Sequence, residues 1–319
     1  MPYPYHRYVS QITRRPWAIL ESKAEIIREL LVERIGGYRP SAEEIRERLG
    51  HAAAAARPAT SGTRVVVVPI HGTIAHRADA FELSSGGTST EWLAAVMKRL
   101  TADESVRAIV LDIDSPGGST EGMITASDAI FAARQVKPVV AVANSMAASA
   151  AYWLASQAHE IVVEPSGSVG SVGVLMITVD MTAKLEKEGY KVEVIKFGTN
   201  KIEGHPWEPM SDETRAHFRS EVDAIGAVFH AHIARGREVS VESVATTYGE
   251  GRMFLADDAK ARGMVDRIAT LDDTITRLTK STRVLRRAAS AADDVPVVEG
   301  PDPSSVAAAL ALQLELEAL

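Results

Sequence analysis

Three short stretches of this 319-residue chain carry residues able to break an acyl bond. In ANSMAASAAYW (143–153), Ser149 stands among Ala147, Ala148, Ala150 and Ala151, so its hydroxyl can stand free while backbone amides crowd close, as a nucleophile at a helix start requires. In VIKFGTNKIEG, Lys201 follows a Gly-containing turn. A lysine ordinarily titrates near a pKa of about 10.4, but burial beside apolar groups lowers it by several units, and the amine then works as a base. In LDIDSPGGST, Gly117 and Gly118 follow a strand and precede a helix expected near Thr120. Glycines there let backbone N–H groups approach a substrate, and the helix start adds positive potential, which suits an oxyanion site. Each stretch also has a plainer reading: helix packing on small residues, a solvated loop lysine, and a turn between strand and helix.

The rest of the composition narrows the chemistry. The chain has no cysteine, which excludes thiolate nucleophiles, disulfides and Cys-based zinc sites. His230 and His232 are two apart on an expected helix and face different ways, unlike the four-residue spacing of a zinc-binding HExxH, so no metal is expected. There is no GxxxxGK and no GxGxxG after a strand, so neither nucleotide nor other cofactor is indicated. A formal charge of -7 argues against nucleic acid as a partner. The first twenty residues hold no signal-like apolar run and no stretch reaches the eighteen or so apolar residues of a membrane span; a cytoplasmic protein without membrane contact is expected.

These residues need a frame. From Arg64 onward, buried-strand runs recur at RVVVVPI, AIVLDI, PVVAVA, EIVV, VGVLMI and KVEVIKF. Between them, 91–100, 122–134, 147–159 and 212–235 read as helices. Strands alternating with helices predict an α/β layer fold with a largely parallel sheet. Ahead of it, 17–35 has helical apolar spacing, Ser41 with Glu44 makes a capping-box pattern for a second helix, and AAAAARPATSG reads as a linker. After Leu278 a polar, Pro-containing stretch with little to bury predicts disorder, with a possible terminal helix over 306–319. The expected division is an N-terminal extension over 1–62, a catalytic core over 63–282 and a tail over 283–319.

Taken together and in order, the segments resemble the signal peptide peptidase A family of serine proteases, serine peptidase family 49, and its bacteriophage capsid-assembly or head-maturation branch. DSPGGS resembles the family's oxyanion turn, AASAAYW its nucleophile segment, GSVGVL (170–175) its GSIGV element and IKFGTNK its strand-turn-lysine element. GRMFLADDAKARGMVDRI is similar to its C-terminal motif. The resemblance implies a Clp protease/crotonase-like fold of stacked ββα units. It implies Ser149 as nucleophile and Lys201 as general base, the amides of Gly118 and Ala150 as the oxyanion hole, and Ser171 as a residue orienting the lysine. It further implies polypeptide substrates such as scaffold, portal or capsid proteins, a homo-oligomer, small or apolar residues before the cut, and a place in the host cytoplasm or the phage prohead. Ala150 and Ala151 depart from the family's usual Gly-Gly; alanine keeps the N–H, so an oxyanion role there requires negative φ. No histidine lies between His159 and His205, so a Ser-His-Asp triad lacks its base. Two further readings stand beside this one: an acyl-CoA enzyme of the crotonase type, and an inactive scaffold that keeps the fold for assembly.

Overall fold

A computed structural model describes residues 16–20, 24, 64–76 and 87–280. The expected helix over 41–49, the linker before Arg64 and the tail beyond residue 280 lie outside the described residues.

The parallel sheet forms where the β-branched runs predict it. β2 (Arg64–His71), β5 (Val106–Ser115) and β7 (Val139–Ala148) are adjacent and parallel; β1 (Trp17–Ile19), β3 (Ile74–Ala75), β4 (Thr88–Ser89) and β6 (Gly117–Ser119) form a second, four-stranded sheet in the order β1-β6-β3-β4. The central stretches of these strands are nearly continuous in apolar residues, as a sheet covered on both faces requires. Ile109, Leu111 and Ile113 pack into one core with Leu93 and Met97 of α1 (Thr90–Ala102) and Met123 and Ile130 of α2 (Met123–Arg134). The alternate residues Val110, Val140 and Val142 are equally buried, and α8 (Leu271–Lys280) packs on β2, β5 and β7. No helix among the described residues is long and apolar enough to cross a membrane.

β7 changes neighbours along its length. Its first half pairs with β8 (Glu160–Val163), its last three residues with β9 (Ser168–Gly170). Between the pairs Ile113↔Ala143 and Ser115↔Ala147, β5 advances two residues and β7 four, so β7 bulges over Asn144–Met146. Ser145 takes φ 137° in that bulge, and a side chain at Gly167 would lie 2.9 Å from the Ser145 carbonyl oxygen. β10 (Met253–Leu255), inside the GRMF motif, closes this edge by pairing with β9.

Three expectations are corrected. Trp17–Ile19 is a strand of the second sheet, where helical spacing predicts a helix. Ser115–Ser119 is no simple turn into a helix: Gly117 and Gly118 are themselves in β6, and α2 starts at Met123. Lys191–Ile195 forms no ladder among the described residues, and 172–177 makes a single bridge, Trp17↔Leu175.

α5 (Asp212–Arg237) is capped by Ser211, whose hydroxyl accepts from the Thr214 amide at 3.1 Å. Its inner face stacks Phe229 on Trp153 at 4.5 Å and brings His232 edge-on to Trp153. Burial, reinforced by the nearby Arg235 and opposed by Asp128, lowers the His232 pKa to about 4. The folded state holds this ring neutral while the unfolded chain protonates it near pH 6.5, so its stabilising contribution is complete above that pH and is lost as pH falls toward 4. After discounting for the part of the ring left in water, the loss is on the order of 2 kcal/mol. Urea unfolding at pH 7.5 and pH 5 should therefore show a larger drop for the native chain than for His232→Gln. Equal drops would contradict the assignment.

Candidate active site

The nucleophile candidate sits on a sharp strand-to-helix turn. β7 delivers Ser149 to the start of α3 (Ala150–Ala155), and the serine adopts φ 55°, ψ −117°. A non-glycine residue in that region costs on the order of 1–3 kcal/mol, so the surroundings must impose it. They do so from several directions. The Ser149 amide donates to the Gly170 carbonyl at 2.7 Å, and the Ser149 carbonyl accepts from the Trp153 amide at 2.9 Å. Tyr152 and Trp153, both fully buried, anchor the turn from behind; the Tyr152 hydroxyl donates to the Met264 carbonyl at 2.8 Å. Aromatic side chains so buried are worth roughly 3–5 kcal/mol each relative to alanine, more than the strain.

The PGG stretch packs directly on this turn. Gly117 has φ 91°, and a Cβ there would fall 2.9 Å from the Ala148 carbonyl oxygen and 3.0 Å from the Ala150 amide nitrogen. A side chain at Gly118 would fall 1.9 Å from the Ile74 carbonyl oxygen. Both positions therefore exclude every other residue, and backbone stands where side chains cannot. Ala150 and Ala151 are helical, with no positive φ, which meets the condition set for an amide donor at Ala150.

Ser171 is buried beside the nucleophile, following Gly170 at φ 51°; its amide donates to the Arg252 carbonyl at 2.8 Å. Thus the GSVGVL and GRMF motifs brace each other next to Ser149. The Ser149 hydroxyl donates to the Gly173 carbonyl at 3.3 Å. Lys201 is not joined to it. Lys201 lies exposed in the turns over 197–204 and makes no side-chain hydrogen bond among the described residues. The extended stretch before it leaves Ile195 94% and Phe197 100% exposed. Of the predicted site, Ser149, Gly118, Ala150 and Ser171 converge within this chain, while Lys201 stands apart from them.

Two features escaped the sequence reading. The first is a chain of polar side chains across three strands: the Asn144 amide donates to Asp112 Oδ1 at 3.1 Å, and His71 Nε2 lies 3.2 Å from Asp112 Oδ2. The hydrogen bond to Asp112 raises the His71 pKa against the opposing effect of burial. This chain ties the β7 bulge to its neighbours five residues ahead of Ser149. The period-2 positions of these residues were the available signal, but three separate strands had to be aligned to use it. The second is a cleft of about 360 Å³ lined by Val174, Leu175, Met176, Met210, Phe218 and Arg215, starting one residue beyond the carbonyl that holds the Ser149 hydroxyl.

The site thus places a serine on a strained turn with a glycine strand pressed against the neighbouring backbone, in a chain that has no cysteine. Residues 132–285 match the model of peptidase family S49. Capsid assembly protease C of Escherichia phage lambda is 31% identical over 262 residues, covering 76% of this chain and 59% of the phage protein. Head-tail preconnector protein GP5 of Enterobacteria phage P21 is 33% identical over 211 residues, 66% of this chain and 42% of that one. Protease 4 of Haemophilus influenzae is 25% identical over 215 residues, 67% of this chain and 34% of that one. The chain thus spans roughly a third to three fifths of the length of these relatives.

Proposed function

We propose that the chain is a serine endopeptidase that processes scaffold, portal or capsid polypeptides during phage head assembly, with Ser149 as nucleophile and Lys201 as general base. The observation that carries the reading is the forced conformation of Ser149 against the Gly117–Gly118 strand. In the proposed reaction, neutral Lys201 takes the hydroxyl proton of Ser149 as its oxygen attacks the scissile carbonyl. The amides of Gly118 and Ala150 hold the resulting oxyanion, each worth on the order of 3 kcal/mol. The amine leaves with a proton, and water then releases the acyl group from Ser149. Ser171 helps orient the lysine amine, and the cleft beginning at Val174, lined by apolar side chains together with Thr178, Arg215 and Arg219, takes substrate side chains.

Lys201 needs a rearrangement or a cover to serve. Exposed Ile195 and Phe197, in the stretch leading to it, are side chains that packing in a homo-oligomer would bury. An apolar surrounding is also the condition under which a lysine amine acts as a base. The core fits a Clp protease/crotonase-like arrangement of stacked ββα units, and the setting proposed is the host cytoplasm or the prohead, without cofactor or metal. The relatives named capsid assembly protease and head-tail preconnector protein favour the head-processing role over general peptide degradation.

Co-expression with phage scaffold, portal and capsid proteins tests the role. Mass spectrometry should find new, discrete termini in at least one of them that vanish with Ser149→Ala. Many scattered cuts would point to general degradation, and unchanged proteins in both cases to a scaffold without activity.

A further inference from the structure

The Gly117–Ser119 strand beside the Ser149 turn is already paired by a segment of this chain. β1 runs between two walls. On one side it pairs with β6, in the register Trp17↔Ser119, Ala18↔Gly118 and Ile19↔Gly117. On the other, the Trp17 amide donates to the Leu175 carbonyl at 2.8 Å and the Leu175 amide returns a bond to the Trp17 carbonyl at 2.9 Å. Contacts continue past both ends: the Leu20 amide donates to the Pro116 carbonyl at 2.8 Å, and the Thr120 hydroxyl to the Pro16 carbonyl at 3.0 Å. Both walls belong to the site. One is the Gly117–Gly118 strand, and the other leads from Gly173, the acceptor of the Ser149 hydroxyl.

The register places one carbonyl at the chemistry. Hydrogen-bonded pairs alternate along an antiparallel ladder, so Ala18 and Gly118 are the next such pair after Leu20 and Pro116, and the Gly118 N–H is directed at the Ala18 carbonyl. That carbonyl oxygen lies 2.3 Å from where a Gly117 Cβ would stand, a point 3.0 Å from the Ala150 amide nitrogen. Ala18 is fully buried, as is Ser149.

We propose that residues 16–20 are a built-in occupant of the peptide-binding groove, seated as a substrate strand would be. Ala18 stands where the residue before the cut would stand, and Ser149 becomes accessible when the segment leaves. The groove then takes an extended apolar peptide with a small residue at its centre, held by backbone hydrogen bonds on both edges. The inference rests on the reading of Ser149 as the nucleophile, so its test must separate the two.

Binding can be read without catalysis. In a Ser149→Ala chain, a fluorescent peptide spanning residues 14–22 should bind poorly because the groove is occupied. Adding Ala18→Pro removes the N–H that pairs with Gly118, and Ala18→Asp forces a carboxylate into a buried slot; either should expel the segment. Removing one or two backbone bonds should raise peptide affinity roughly tenfold or more. Hydrogen exchange on the unsubstituted chain needs no variant: the Ala18 and Leu175 amides should be protected. Equal peptide affinity with and without Ala18→Pro, or unprotected amides at Ala18 and Leu175, would overturn the proposal. With Ser149 restored, Ala18→Pro should also speed fluorophosphonate labelling roughly tenfold. Peptide binding without labelling would sink the nucleophile and leave the groove occupant standing; labelling without peptide binding would do the reverse.

Discussion

Replacing Ser149 by alanine should lower the rate of peptide cleavage by roughly 10³-fold or more, because a nucleophile that forms the acyl-enzyme has no substitute in the site. No cysteine exists to take over. The fold should survive the change. The hydroxyl makes one long bond of 3.3 Å to the Gly173 carbonyl, and a neutral hydrogen bond contributes only about 0.5–1.5 kcal/mol. The strained backbone at Ser149 is held by its own amide and carbonyl and by Tyr152 and Trp153, none of which the substitution touches. Cleavage measured against an unfolding curve separates the two effects. A variant that stays folded and still cuts at more than about a tenth of the native rate would remove Ser149 from the chemistry.

The second large effect is expected at Lys201. Lys201→Ala should abolish cleavage to a similar extent, and Lys201→Arg should do no better, since a guanidinium keeps the charge but does not give up its proton. Stability should move by no more than about 0.5 kcal/mol, as Lys201 is exposed and makes no side-chain hydrogen bond among the described residues. That combination, loss of function with an unchanged fold, is what distinguishes a base from a packing residue. Activity retained in Lys201→Arg would show that no proton is taken by the side chain at this position, and the dyad would fall.

Most of the frame around Ser149 is legible in the sequence because its signals are local. The runs at 65–70 and 139–143 are apolar at every position and 108–113 at every position but Asp112, and parallel strands with a buried core follow. The glycine stretch and the nucleophile segment, read as one site, do meet, since Gly117 abuts Ala150; the contacts of the C-terminal motif, Met264 with Tyr152 and Arg252 with Ser171, are not legible in advance. What escaped depends on partners far along the chain. Trp17–Ile19 continues a helical apolar spacing, but its backbone pairs with Gly117–Ser119 about a hundred residues on, and nothing in its own pattern says so. Lys191–Ile195 alternates as a strand should, yet alternation provides no partner; the described residues contain none, and Val192 and Ile195 are exposed. The bulge at Asn144–Met146 needs the β5 register before it can be seen, and with it the role of Asp112 and His71.

Those same distant pairings sharpen the site. Ser149, the proposed nucleophile, is fully buried, and β1 pairs with the Gly117–Ser119 strand beside it, so access and chemistry are separate questions. The most direct measurement is therefore fluorophosphonate labelling of the full chain and of Ala18→Pro, followed by mapping of the adduct by mass spectrometry. The expected result is a single adduct on Ser149, formed faster in Ala18→Pro and absent from Ser149→Ala. An adduct on another serine, or no adduct in a folded Ala18→Pro chain, would contradict the assignment of Ser149 as the nucleophile.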